Sequence, residues 1–227
     1  LVMYGLWTAR GHLLQVGRKA LGVGTDVDDT AEILSYRSAV LGLLAGLSIM
    51  SVWLWRSGIP GMYVPMVVAA ALILFVGLAR VIAEAGLPTV TPAMIPAGFV
   101  LSGVGAPALG PAGLAALGYT LIWTGDFLVF MTAPLANGLR LASETSHDRR
   151  RVSGAVALAI VVTLVVSCWY LLGLAYEHGG INLHQQYFKT FAALPSKFAA
   201  QQASDPVVLS VSGWMHTGGG AVVMSLL

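Results

Sequence analysis

Residues 86 to 107, GLPTVTPAMIPAGFVLSGVGAP, decide how this chain must fold, because they are apolar enough for a membrane yet poorly suited to a helix. They belong to a stretch of 41 residues, Ala85 to Gly125, with no charged side chain but with eight glycines and five prolines. Proline inside a helix removes a backbone hydrogen bond, at a cost of about 3 kcal/mol. Irregular backbone survives at membrane depth only where protein or water satisfies its polar groups. The stretch therefore predicts a broken or re-entrant segment inside a helix bundle.

The composition of the whole chain indicates a membrane protein. Of 227 residues, 57% are hydrophobic and 10% are charged, whereas soluble domains carry roughly 25% charged residues. Three further apolar runs are long enough to cross a hydrocarbon core, which takes about 20 residues of helix. These runs cover 38–55, 60–79 and 154–176. We predict an all-α, polytopic transmembrane helix bundle with a broken or re-entrant Pro/Gly-rich segment.

Basic residues predict the orientation of the spans. They concentrate in the loops 8–37 and 140–153, and cytoplasmic loops carry an excess of Lys and Arg. Both loops are therefore expected in the cytoplasm. Asp29 and Glu32 have the spacing of a capping box, which predicts a helix that runs through Leu34 and Ser35 into the first span.

The same features predict the organisation of the chain. Both ends read as cut, so we expect a piece of a longer polypeptide that packs against its own remainder. The first half of the chain is predicted to contain the end of a preceding span with a cytoplasmic amphipathic connector (1–37), a transmembrane hairpin (38–79), and a broken segment plus a transmembrane helix (80–139). The second half is predicted to contain a basic cytoplasmic loop (140–153), a transmembrane helix (154–176), an extracytoplasmic interfacial segment (177–206) and the start of a further span (207–227).

Charged and polar groups within the apolar regions are the candidate functional residues. Arg80 and Glu84 are spaced to pair on one helix face at the entrance to the broken segment, or else they anchor a helix end at the headgroups. Asp126 lies in the run LIWTGDFLVFM and is the proton-coupling candidate, because an intramembrane carboxylate is a functional hypothesis by default. A structural ion pair is the alternative role. The transport or proton-coupling candidates are Asp126, Arg80, Glu84, Tyr119, Trp123, Asn137 and Arg140. The candidate helix-breaking residues are Pro88, Pro92, Pro96 and Pro134.

Other classes of function find no support in the sequence. It shows no Ser/His/Asp set, nucleotide-binding loop or paired catalytic carboxylates, so an enzyme is not expected. Cys168 is the single cysteine, and the histidines have no metal-ligand spacing, so neither a metal nor a cofactor is expected. The net charge of +2 does not indicate nucleic acid as a partner. The expected partner is the lipid bilayer.

Four segments carry a resemblance to a known group of proteins: DDTAEILSYR, RVIAEAGLP, PLANGLRLASE and LAYEHGGINL. They resemble uncharacterised bacterial multi-pass membrane proteins that are in turn similar to the oligopeptide transporter superfamily. The resemblance implies a multi-pass secondary transporter of the bacterial cytoplasmic (inner) membrane, with proton-coupled uptake of peptides or metal chelates. The alternative is a non-transporting structural subunit that packs against a larger membrane complex, with two contact surfaces: the GxxxG face of Gly42 and Gly46, and the interfacial helix of INLHQQYFKTFAALPSKF. A polar cavity at the bundle centre would favour the transporter.

Overall fold

A computed structural model describes residues 2–23, 34–86, 94–124, 135, 137–138, 149–209 and 211–226. Within these ranges the structure is helical and contains no strand, which confirms the predicted all-α fold. The α-helices, in chain order, are α1 (Val2–Thr8), α2 (Arg10–Ala20), α3 (Tyr36–Arg56), α4 (Val64–Ala85), α5 (Pro96–Val104), α6 (Ala106–Thr124), α7 (Arg149–His178), α8 (Ala192–Ser204) and α9 (Val211–Leu226). A 3-10 turn (Gly180–Asn182) and a π-helix (Gln186–Phe191) connect α7 to α8.

Three helices in the described ranges are long and apolar enough to cross a membrane: α3, α4 and the Gly154–His178 part of α7. They correspond to the three predicted spans. α4 begins later than predicted and continues to Ala85, so Arg80 and Glu84 lie in its last two turns. The predicted helix through Leu34 and Ser35 is wrong. Ser35 instead precedes α3 and caps it, because its Oγ accepts a hydrogen bond from the backbone N–H of Ser38 at 3.2 Å.

The chain forms two compact units. The first consists of Leu1–Ile49, Val76–Thr89 and Met131–Lys189. In this unit α7 ends at Gly179, whose φ of +76° is a conformation that favours glycine. Asn182 Nδ2 then donates a hydrogen bond to the carbonyl oxygen of His178 at 2.9 Å, which satisfies one of the last carbonyls of the helix.

The second unit consists of Met50–Phe75, Val90–Phe130 and Thr190–Leu227. Its core combines residues from the end of α3, the start of α4, α5 and α6. The fully buried members of this core include Leu54, Ile59, Val67, Val100 and Leu117. α8 packs along α6, where a Cβ added to Gly118 would lie 2.8 Å from the carbonyl oxygen of Pro195. The absence of a side chain at Gly118 therefore lets the two helices approach closely.

The broken segment is broken in the structure as well. α5 has nine residues and ends at Gly105, and α6 starts immediately afterwards. A second interruption follows at Gly110 (φ +66°, ψ 172°), directly before Pro111. Pro96 is the first residue of α5, a position where the missing N–H of proline costs nothing. In the described part of this segment the helix breaks therefore lie at two glycines, Gly105 and Gly110, whereas Pro96 starts a helix.

Candidate functional site

The candidate site is the break between α5 and α6. At a rise of 1.5 Å per residue, the nine residues of α5 extend about 14 Å, roughly half of a hydrocarbon core of about 30 Å. α5 is nevertheless well covered by protein, since Pro96, Ala97, Val100 and Leu101 are all buried. The half-length helix ends at Gly105 (φ +86°, ψ 150°), a backbone conformation available essentially only to glycine.

Residues from a distant part of the chain satisfy the backbone at this break. The N–H of Ala106 donates to the carbonyl oxygen of Val207 at 2.8 Å. The N–H of Val207 donates in turn to Oε1 of Gln202 at 3.2 Å. Gln202 is only 8% exposed, so its amide is a buried polar group with an assigned partner. The extended segment after α8 thus supplies an acceptor for the N–H of Ala106, the first residue of α6.

Trp214 of α9 contacts the last turn of α5. Its indole Nε1 donates to the carbonyl oxygen of Gly103 at 3.1 Å, and its ring meets Phe99 edge-on at 6.0 Å between centroids. A Cβ added to Gly103 would lie 2.9 Å from Cζ2 of Trp214 and 2.8 Å from Cε of Met66. Gly103 is therefore the residue that allows the indole to reach the backbone of α5.

A cavity of about 210 Å³ lies beside this contact, between α5 and α9. The residues that line it are Met94, Phe99, Ser102, Gly103, Gly213, Trp214 and Thr217. Its walls are mainly apolar, with the hydroxyl groups of Ser102 and Thr217 as polar side chains. The Thr217 hydroxyl donates to the carbonyl oxygen of Gly213 at 2.9 Å and keeps lone pairs that can accept a hydrogen bond. Mostly apolar walls with a few polar groups are typical of small-molecule pockets.

Arg80 and Glu84 form the predicted pair. Arg80 Nε lies 2.7 Å from Oε1 of Glu84, and both side chains are largely exposed, at 41% and 60%. The guanidinium also lies over the backbone of α1, since a Cβ added to Gly5 would meet Nη1 of Arg80. One turn earlier in α4, a Cβ added to Gly77 would lie 3.1 Å from the side chain of Val2. The last turns of α4 therefore pack on α1 at two glycines.

The other described candidates are Tyr119 and Trp123 in the second unit and Asn137 in the first. Tyr119 is 56% exposed on α6, and Asn137 is half-buried in helical backbone. Trp123 is half-buried, with its ring 6.0 Å from that of Phe75. Its Nε1 is buried and has no hydrogen-bond partner within the described part of the chain. The candidates that lie outside the described residues are Asp126, Arg140, Pro88, Pro92 and Pro134.

The structure also shows polar residues that the sequence analysis missed. Thr120 and Thr124 are buried on α6, where each hydroxyl donates to a carbonyl oxygen of the preceding turn at 2.6 Å. Their spacing of four residues is the signal that could have identified a buried polar stripe. Trp214 carries no comparable signal, because its importance depends on a contact with Gly103, 111 residues earlier in the chain. Gln202 carries none either, because its partner, the N–H of Val207, matters only through the hydrogen bond between Val207 and Ala106.

The chain is all-α and has three helices that could span a membrane. It is a membrane protein, and it contains a helix break that is covered by protein. It belongs to a family of unknown function, DUF6785, whose model matches residues 1–227. Neither the curated proteins nor the solved structures include a match to the chain.

Proposed function

We propose that this chain is part of a multi-pass secondary transporter of the bacterial inner membrane, which takes up peptides or metal chelates together with protons. The observation that carries the proposal is the α5–α6 break, a half-length helix that is covered by protein. The cavity beside it has mainly apolar walls with the hydroxyl groups of Ser102 and Thr217, so it is not the polar central cavity expected of a transporter. In secondary transporters, discontinuous helices of this kind form the substrate and ion sites near the bilayer midplane. The resemblance to the oligopeptide transporter superfamily supports the same substrate class.

We assign proton coupling to Asp126, which follows the described end of α6 by two residues in the sequence. A charged residue in an apolar run is costly and marks ion or proton pathways in membrane proteins. Trp123 supports the assignment, because its buried Nε1 is a donor without a partner in the described residues, and buried indole N–H groups usually find one. The sequence predicts Asp126, three residues further along, on the same helix face as Trp123.

The test uses the full-length protein in liposomes, with trialanine and an iron(III) citrate chelate as the two probes. An inward proton gradient should drive accumulation of at least one probe. Asp126→Asn should abolish gradient-driven accumulation and spare exchange of the probe across the membrane, because it removes only the titrating group. Asp205→Asn is the matched control, since Asp205 is an exposed carboxylate after α8, and it should transport like the wild type.

Two results would contradict the proposal. If the wild type transports neither probe under any gradient, peptide or chelate uptake is wrong. If Asp126→Asn fails to accumulate in the membrane and a second neutralisation of an arginine restores it, Asp126 belongs to a structural ion pair.

The second candidate function is that of a structural subunit in a larger membrane complex. The GxxxG face of α3 favours it, because a Cβ added to Gly42 or Gly46 meets no described atom within 4 Å. That face is therefore open to another helix, and small residues at this spacing permit close approach. Purification of the full-length protein in a mild detergent separates the two functions. A stoichiometric complex that loses its partner on Gly46→Leu, combined with absent transport, would support the structural role.

A further inference from the structure

α2 is a short basic helix with an exposed apolar face. Arg10, Arg18 and Lys19 lie within it or at its start, and the sequence contains no acidic residue before Asp26. None of its residues is buried. The large apolar side chains Leu13, Leu14 and Leu21 are 47%, 63% and 81% exposed. A soluble helix would turn such residues toward a core, so this face is built for an apolar environment.

Contacts with the start of α3 fix which side of α2 is free. The ring of His12 meets that of Tyr36 edge-on at 5.8 Å, and Lys19 Nζ lies 5.8 Å from the centre of the same ring. His12 and Lys19 are seven residues apart and share one face, so this face is turned toward α3. Leu14 and Leu21, also seven residues apart, lie on the opposite face.

Arg37 attaches the C-terminal end of α2 to the membrane-spanning helix. Its Nε donates to the carbonyl oxygen of Ala20 at 3.3 Å, one of the carbonyls that the end of a helix leaves without an internal partner. Because Arg37 is the second residue of a candidate span, this bond holds α2 at the N-terminal end of that span.

The N-terminal end of α2 carries side chains that are typical of the headgroup region of a membrane. The Arg10 guanidinium lies over the ring of Trp7, with its Cζ atom 4.2 Å from the ring centroid. Trp7 itself is 68% exposed. Tryptophan and arginine are typical anchors at the headgroups. The chain changes helix at Ala9, between these two residues.

We propose that α2 lies in the membrane interface and binds anionic phospholipid headgroups. Leu13, Leu14 and the C-cap residue Leu21 insert at the boundary between headgroups and acyl chains. Arg10 and Arg18 are each four residues from Leu14, one on the N-terminal and one on the C-terminal side, and their long side chains extend from this face to bind the phosphates. Charge complementarity decides the occupant: the helix has three cations and no anion, and anionic lipids attract basic segments of this kind. The acidic residues of the same connector come after the helix, from Asp26 onward.

The first measurement is the depth of α2 in nanodiscs that contain the full-length protein. Single cysteines at Leu14 or Gln15, in a Cys168→Ala background, carry a nitroxide label. In discs with phosphatidylglycerol, the label at position 14 should be accessible to oxygen and protected from a water-soluble nickel reagent. The label at position 15, on the polar side, should show the opposite preference. Equal access of the nickel reagent to both positions would overturn the proposal.

The second measurement tests the headgroup chemistry with the same labels. Each arginine near an anionic surface contributes about 1 kcal/mol to the free energy of binding, which is equivalent to roughly a fivefold preference for anionic lipid. Arg10→Gln/Arg18→Gln should therefore lower the preference of the site for phosphatidylglycerol over phosphatidylcholine by about 25-fold, and 500 mM salt should act in the same direction. Lys189→Gln/Lys197→Gln removes the same charge elsewhere and should have no effect. Insertion that does not depend on anionic lipid or on the arginines would show that α2 binds only through its leucines, and the proposal would be wrong.

Discussion

α7 and the α5–α6 break place their backbones in an apolar environment by opposite means. α7 is one continuous helix of 30 residues, and its span has no buried residue. Its hydrogen bonds are internal, so it needs no other segment to satisfy them. The break is buried and made of short pieces, and it depends on Val207 and Trp214 to complete its hydrogen bonds. Substitutions should therefore be tolerated along α7 and costly at the break.

The largest effect is expected from Gly105→Val. The backbone conformation of Gly105 costs about 1–3 kcal/mol for a residue with a side chain. The new Cβ would also lie 3.1 Å from the backbone nitrogen of Leu209, which adds to that cost. Gly98→Ala lies inside α5, and its added Cβ has no atom of the described chain segments within 4 Å. This variant is the control and should be neutral or more stable by about 0.5–1 kcal/mol. Unfolding in mixed micelles with increasing dodecyl sulfate measures both, and equal midpoints would contradict the described break.

Gly118→Ala should have the next largest effect. Its Cβ would meet the backbone of Pro195, which cannot move aside as a flexible side chain does. Overpacking of this kind costs about 1–3 kcal/mol. Gly173→Ala in α7 is the control, because no atom of the described residues lies within 4 Å of its added Cβ, and it should unfold at the wild-type midpoint or later. A destabilised Gly173→Ala variant with a normal Gly118→Ala variant would reverse the comparison.

The smallest effect is expected at the polar end of a long span. Both side chains of the Arg80–Glu84 pair are exposed, so solvent screening limits the coupling energy between them to about 0.5 kcal/mol. Glu84→Gln, Arg80→Gln and the double variant form a cycle that measures this coupling by the same unfolding assay. A coupling above about 2 kcal/mol would mean that the assembled protein buries the pair.

The parts of the fold that could be predicted are those that depend on a continuous local pattern of residues. The three long spans follow from apolar runs, because a continuous helix needs only its own sequence to satisfy its backbone. The pairing of Arg80 with Glu84 follows in the same way from a spacing of four residues. The presence of a break between 86 and 107 also follows from its glycines and prolines.

The location of the break and its partners could not be predicted. Pro96 suggested an interruption, yet it starts α5, and the break lies at Gly105. Nothing in the local sequence identifies Val207 as the acceptor for Ala106, or Trp214 as the donor to Gly103. These contacts join residues about 100 positions apart, and single-sequence periodicity reports only neighbours within a few turns. The start of α3 was mistaken for a different, local reason: both Asp29 and Ser35 are candidate caps in the sequence, and the structure shows Ser35 capping α3.

The most direct test of the central claim is the water accessibility of the cavity beside the break. Single cysteines at Ser102, on the cavity wall, and at Val165, in the middle of α7, are compared in the reconstituted full-length protein with Cys168→Ala. If the break lines a transport pathway, a membrane-impermeant thiol reagent should modify the cysteine at position 102 and leave the one at position 165 unmodified. Equal protection of both positions would place the cavity in lipid or packed protein and would contradict the transport pathway.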